Sequence, residues 1–165
     1  MSSPFIHLRV HSDFSMMDGL NKVKPILAQV EAFNMPAVAI TDQMNMCGLV
    51  KFYSEAHNRG IKPIIGTDFW VQNDVLNEEP FRLTLLAMNN EGYKNITLLI
   101  SKGYLRGAVH HKTVIDQAWL AEHAEGVIVL SGALHGDVGI ALTKNNQKML
   151  ADSLAFYQQH FADRF

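Results

Sequence analysis

Short apolar segments of strand length alternate along this chain with longer segments whose apolar residues recur every three or four positions. That alternation is the strongest constraint on the fold. Residues 5–10 alternate strictly, with Phe5, His7 and Arg9 on one face and Ile6, Leu8 and Val10 on the other. Asn21 is placed to cap a helix over residues 22–33, with Pro25 in its tolerant first turn. A buried strand follows at residues 37–41. The stripe Leu49, Phe52, Tyr53, Ala56 then marks a helix stopped by Gly60. Residues 62–71 read as a strand bent at Gly66, residues 72–81 as a hairpin tip, and residues 82–88 as another strand. Tyr93, Ile96, Ile100 and Tyr104 stripe a helix ending near Gly107, and a short helix at 116–123 leads into a strand at 127–130. Leu150, Leu154, Tyr157 and Phe161 stripe the last helix. Strands separated by helices imply an α/β fold with mainly parallel strands and right-handed crossovers.

A chain of 165 residues is long enough to bury one core. Its net charge of -2 supplies no basic field for gripping nucleic acid. The single cysteine, Cys47, excludes an internal disulfide and a cysteine zinc cage, and reads as a small buried residue. The apolar runs are too short to span a bilayer, and the N-terminus lacks a charged region leading into an apolar run. The expectation is a cytoplasmic protein with no membrane partner. No nucleophile elbow, phosphate-binding glycine loop or dinucleotide fingerprint appears.

Histidines and carboxylates gather at strand ends: His7-Leu-Arg9-Val-His11-Ser12-Asp13, Ala39-Ile-Thr-Asp42-Gln43 and Pro63-Ile-Ile-Gly66-Thr-Asp68. A β/α scaffold collects metal ligands in this way. Arg9 and Gln43 break the pattern, since a guanidinium has no lone pair to donate.

These stretches, with Cys47-Gly-Leu-Val-Lys-Phe-Tyr53, Gly92-Tyr-Lys-Asn95, Leu98-Leu-Ile-Ser-Lys102 and Glu125-Gly-Val-Ile-Val-Leu-Ser-Gly132, run in order along almost the whole chain. Together they resemble the PHP (polymerase and histidinol phosphatase) domain found at the N-terminus of bacterial DNA polymerase III alpha subunits. The resemblance implies an incomplete, distorted TIM-like β/α barrel, with residues 1–165 forming its N-terminal part. The remaining strands and the polymerase domains would lie beyond the chain, leaving a sheet edge at residues 5–10 or 127–130. It also implies a ligand set, which is here degenerate. His-x-His reads Arg9-Val10-His11, and Thr-Asp-His reads Thr41-Asp42-Gln43. Gly-x-Glu reads Gly66-Thr67-Asp68, and Ser-Gly-Cys reads Ser131-Gly132-Ala133. Asp18 and His111 match ligand positions, and Arg82 stands where a ligand His is common.

The vestigial positions are therefore Arg9, His11, Asp18, Gln43, Asp68, Arg82, His111 and Ala133, with no metal expected among them. The function implied is structural: a module contacting the rest of the alpha subunit and docking a proofreading exonuclease subunit. The parent chain would bind DNA, use Mg and act as a DNA-directed DNA polymerase, a nucleotidyltransferase of DNA replication. The alternative is an active PHP phosphoesterase or exonuclease holding Zn or Mn through His11, Asp18, Asp68 and His111. The alternation of residues 5–10 points His7 toward the core and turns Arg9 inward, where it would pair with Asp42 or Asp68.

Overall fold

The computed structural model describes residues 5–73, 80–106, 108–109 and 112–165. The chain divides into two compact units, Met1–Thr67 and Asp68–Phe165. The expected hairpin tip at 72–81 lies mostly outside the described residues, as do His110 and His111.

In the first unit, helix α1 (Val23–Ala32) precedes strand β1 (Ala37–Ile40) and helix α2 (Leu49–Asn58). Strand β2 (Lys62–Gln72) begins here and runs on into the second unit, unbroken at Gly66. All four residues of β1 are buried, as expected for a strand covered on both faces. It pairs parallel with β2 from Ala37↔Lys62 to Ile40↔Ile65. The core between these strands and the two helices holds Val23, Leu27, Val30, Val38, Ile40, Phe52, Ala56 and Ile61. The cap of α1 is Lys22 rather than Asn21.

Residues 5–10 are not a regular strand. The carbonyls of His7 and Val10 accept from the amides of Ala39 and Thr41, at 2.8 and 2.9 Å. Three steps on this segment thus oppose two on β1. A bend at Leu8 absorbs the extra residue, as a β-bulge does. The alternation fails as a result, and His7 and Arg9 are both exposed rather than directed inward.

In the second unit, β2 neighbours strand β3 (Phe81–Ala87), which neighbours the strand numbered β7 (Val127–Ser131). Between them in sequence lie helix α3 (Asn90–Arg106), strands β4 (Ala108–Val109), β5 (Lys112–Thr113) and β6 (Ile115–Asp116), and helix α4 (Gln117–Glu122). The sheet is mixed. β6 pairs parallel with β2, whereas β7 pairs antiparallel with β3 from Leu83↔Ser131 to Ala87↔Val127. The expectation of mainly parallel strands thus holds only in part, because a buried apolar run carries no record of strand direction. Among the described residues β7 ends the strand order, at one of the two places where an edge was expected.

Helix α3 packs on β3, β6 and β7. Its buried residues are Gly92, Asn95, Ile96, Leu99 and Gly103, while Tyr93 and Tyr104 face outward. Aromatic residues suggested the wrong stripe because two glycines mark the true one. A Cβ on Gly92 would lie 1.8 Å from the Gly126 carbonyl oxygen, so only glycine lets α3 approach β7 this closely. Asn95 completes the contact by donating to the Glu125 carbonyl at 2.8 Å.

Two further helices, α5 (Asp137–Thr143) and α6 (Gln147–His160), pack together. No apolar stripe announces α5. Asp137 is 1% exposed in this pair and its Oδ1 accepts from the Tyr157 hydroxyl at 2.9 Å. Its Oδ2 has no hydrogen-bond partner. Burial pushes the Asp137 carboxyl above the ordinary carboxylate range, with Ser153 and Tyr157 opposing that shift. Burial also raises the Tyr157 hydroxyl, helped by the neighbouring Asp137 charge. A raised carboxyl binds its proton more tightly in the folded than in the unfolded state, so stability falls as pH rises through the folded value. We therefore expect urea unfolding to show stability declining above about pH 4, by at most ~1.4 kcal/mol per pH unit. Asp137→Asn should flatten that decline; an unchanged slope would exclude Asp137 as its source.

Candidate functional site

The first unit carries a polar cluster at the C-terminal end of β1. Asp42, 2% exposed, lies just beyond the strand, and the chain from Ser12 to Gly19 folds over it. Asp42 Oδ1 accepts from the Ser12 amide at 2.6 Å and the Ser15 hydroxyl at 2.7 Å. Oδ2 accepts from the Ser12 hydroxyl at 2.7 Å. Each hydroxyl is used twice: Ser12 Oγ accepts from the Phe14 amide, and Ser15 Oγ accepts from the Gln43 amide. Asn45 extends the network, donating from Nδ2 to the carbonyls of Phe14 and Gln43. The charge of Asp42 is thus answered by hydrogen bonds from serines. The guanidinium of Arg9 is not its partner.

Above this cluster His11 Nδ1 lies 2.8 Å from Asp18 Oδ1, with 11% of the His11 side chain exposed and 43% of that of Asp18. Two of the expected ligand positions therefore meet. The loop that brings them together depends on Gly19, where a Cβ would stand 1.7 Å from the Ser12 carbonyl oxygen. Gln43, at the lost imidazole position, is half-buried beside Ser15 through its backbone amide. Cys47 is exposed, contrary to its small-buried-residue reading.

The second unit has its own buried carboxylate. Asp68, on β2, is 1% exposed and accepts a hydrogen bond from the Thr84 hydroxyl on β3. Arg82 Nη2, also on β3, lies 3.6 Å from Asp68 Oδ2. Arg82 and Thr84 are two residues apart and so share a face of their strand. The Arg82 guanidinium also lies 5.0 Å over the Trp70 ring, and Lys112 Nζ lies 4.4 Å over the same ring. Arg82 thus places a cation beside a buried carboxylate within this unit. Gly132 packs on the Arg82 backbone, where a Cβ would come within 1.9 Å of its carbonyl oxygen. Ala133 follows in a 3-10 turn (Ala133–His135) with a positive φ of 49° and is exposed.

Among the described residues, no group of three or more His, Cys, Asp and Glu side chains is placed to hold a metal ion. The Asp42 oxygens face N–H and O–H donors, and Asp68 has a guanidinium beside it. The residues missed by sequence reasoning are Ser12, Ser15, Thr84 and Trp70. None of these contacts is local in sequence: Ser12 and Asp42 are thirty positions apart, and Thr84 and Asp68 sixteen.

The model of the PHP domain family matches residues 7–165. The chain belongs to the PHP domain family. It is 63% identical over its whole length to the DNA polymerase III subunit alpha of Vibrio cholerae, of which it covers 14%. The same protein of Escherichia coli K12 is 54% identical, again over the whole chain and 14% of the relative. The PHP chain therefore spans about one seventh of the length of these relatives. Among solved structures, an amidohydrolase from Chromobacterium violaceum aligns at 17% identity and a TM-score of 0.45, covering 72% of this chain and 48% of that one.

The geometry makes Asp42 the residue on which the loop depends. Asp42→Ala would strand three donors, two of them buried hydroxyls, and should destabilise the chain by about 2–4 kcal/mol in urea unfolding. Ser12→Ala and Ser15→Ala should each cost about 1–2 kcal/mol. Near-neutral values for all three variants would show that the network does not hold the loop.

Proposed function

We propose that this PHP chain is the corresponding segment of a DNA polymerase III alpha subunit, in which its metal site is degenerate and its role is structural. The observation that carries this reading is Arg82, whose guanidinium lies 3.6 Å from the buried Asp68 carboxylate. A permanent cation there neutralises a carboxylate of the kind that gathers a metal, and it repels a second cation. The serine donors on Asp42 act in the same direction by occupying its lone pairs. The proposed vestigial set is Arg9, His11, Asp18, Gln43, Asp68, Arg82, His111 and Ala133.

On this reading the chain folds as part of the family's distorted barrel and supplies a surface to the rest of the alpha subunit and to a proofreading exonuclease subunit. The parent protein carries the polymerase activity, the Mg and the DNA contacts, and works in the cytoplasm. Among the described residues no helix is long and apolar enough to cross a membrane.

The second reading, a metal-dependent phosphoesterase, is favoured by one contact, the pairing of His11 with Asp18 at 2.8 Å. Two ligands fall short of the three that catalytic zinc sites draw from the protein. Metal analysis of protein purified without chelator separates the two readings. We expect clearly substoichiometric Zn, Mn and Mg, and no metal-stimulated hydrolysis of phosphoesters or DNA ends. One bound metal per chain, together with hydrolysis abolished in His11→Ala, would establish the enzyme instead.

A further inference from the structure

A cavity of about 620 Å³ opens in the first unit, on the side of α1 and α2, and plays no part in the clusters above. Its volume lies in the range of small-molecule sites. Three segments line it: the loop at Asp13 and Phe14, the start of α1 with Lys22 and Lys24, and α2 with Lys51 and Glu55.

Its charge is one-sided. None of Lys22, Lys24 and Lys51 takes part in an ion pair among the described residues. Glu55 is already engaged by Arg59, whose Nε and Nη2 lie 2.9 and 2.8 Å from its Oε1. Only Asp13 remains to offset three ammonium groups. Lys51 Nζ sits 5.4 Å over the Phe14 ring, which holds that cation at the wall of the cavity.

The lysines also stand where they cost local stability. Lys22 is the cap of α1, its side chain makes no capping bond, and the first turn contains no acidic residue. A helix start favours Ser, Thr, Asp or Asn at the cap and negative charge in the first turn. Two lysines reverse both preferences, and a third approaches from another helix. A local rule broken without internal compensation is the mark of a site shaped for something else.

We infer that this cavity binds the phosphate group of a nucleotide, with Lys22, Lys24 and Lys51 as its ligands and Phe14, Val23 and Pro25 as the apolar wall beside the base and sugar. The bound phosphate supplies the negative charge that the start of α1 lacks. The aromatic ring and apolar wall suit a nucleoside better than a bare inorganic anion. The overall charge of -2 does not oppose this, because the field that matters is local to three lysines. Two sources share this chemistry: a free nucleotide, and a nucleotide unit of single-stranded DNA.

The test is a titration of the 165-residue chain, followed by amide resonances, with deoxyadenosine monophosphate, inorganic phosphate and a single-stranded deoxyoligonucleotide. We expect saturable shifts at Phe14, Val23 and Lys51 with a Kd below about 1 mM for at least one nucleotide-bearing ligand, and weaker binding of inorganic phosphate. Lys24→Gln and Lys51→Gln should each weaken that binding at least about fivefold and steepen no other response, while Lys62→Gln, on the edge of β2 outside the cavity, should leave it unchanged. Preserved dispersion of the spectra shows that each variant is folded. Saturation by the monophosphate assigns the site to free nucleotide. Saturation by the oligonucleotide alone assigns it to single-stranded DNA. No saturable shift with any of the three at roughly 10 mM, or equal weakening by Lys62→Gln, would overturn the inference.

Discussion

The first unit turns on the carboxylate of Asp42. Thr41 and Asp42 directly follow a fully buried strand, so the carboxylate is delivered into the interior by the packing of β1. A buried charge must be paired or hydrogen-bonded. Here the solution is to fold residues 12–15 over the strand end, where one amide and two hydroxyls meet the two oxygens. The rest follows from that wrap. Ser15 is held in place, its hydroxyl receives the Gln43 amide, and the turn at Gln43–Asn45, with Met44 at a φ of 52°, is fixed. Gly19 then lies against the Ser12 carbonyl, which brings Asp18 round to His11.

The second unit answers the same requirement differently. Asp68 is as deeply buried as Asp42, but its neighbours are a hydroxyl from Thr84 and the guanidinium of Arg82. Arg82 is in turn oriented by the face of Trp70 and by a backbone contact with Gly132 that no side chain at residue 132 would allow. An arginine in such a setting is held by stacking on an aromatic face as well as by charge, which the compact ammonium of a lysine would not reproduce.

Most helices and strands were legible in the hydrophobic period, and their bounds fall within a few residues of those expected. Three misreadings have physical causes. The alternation of residues 5–10 predicted an inward Arg9, but register is a property of two strands, and the bend at Leu8 is set by the partner. The stripe chosen on α3 followed its tyrosines, whereas the buried face is the one where Gly92 and Gly103 allow close approach. Helix α5 was invisible because its buried residues are Asp137 and Ala141, so it has almost no apolar signature. Of the candidate site, the resemblance singled out His11 and Asp18 separately, their contact at 2.8 Å being visible only in the fold, and His111 lies outside the described residues. The serines could not be read as partners of Asp42, because that contact joins residues some thirty positions apart.

On the proposed reading, the two carboxylates differ in how readily they could be returned to metal binding. Replacing Arg82 by histidine removes a cation from beside Asp68 and restores a donor in one step. Asp42 offers no such step. A cation approaching it must displace donors that also hold the loop: the Ser12 amide belongs to the backbone, and the two hydroxyls each carry a second bond. Each charge-assisted bond of this kind is worth about 1.5–3 kcal/mol, so a metal would compete with the folding of the loop itself. Loss of ligands at Arg9 and Gln43 therefore need not have cost the fold anything. On the same reading, the network that stabilises the loop is a larger obstacle to rebuilding a metal site in this unit than the residues at the imidazole positions.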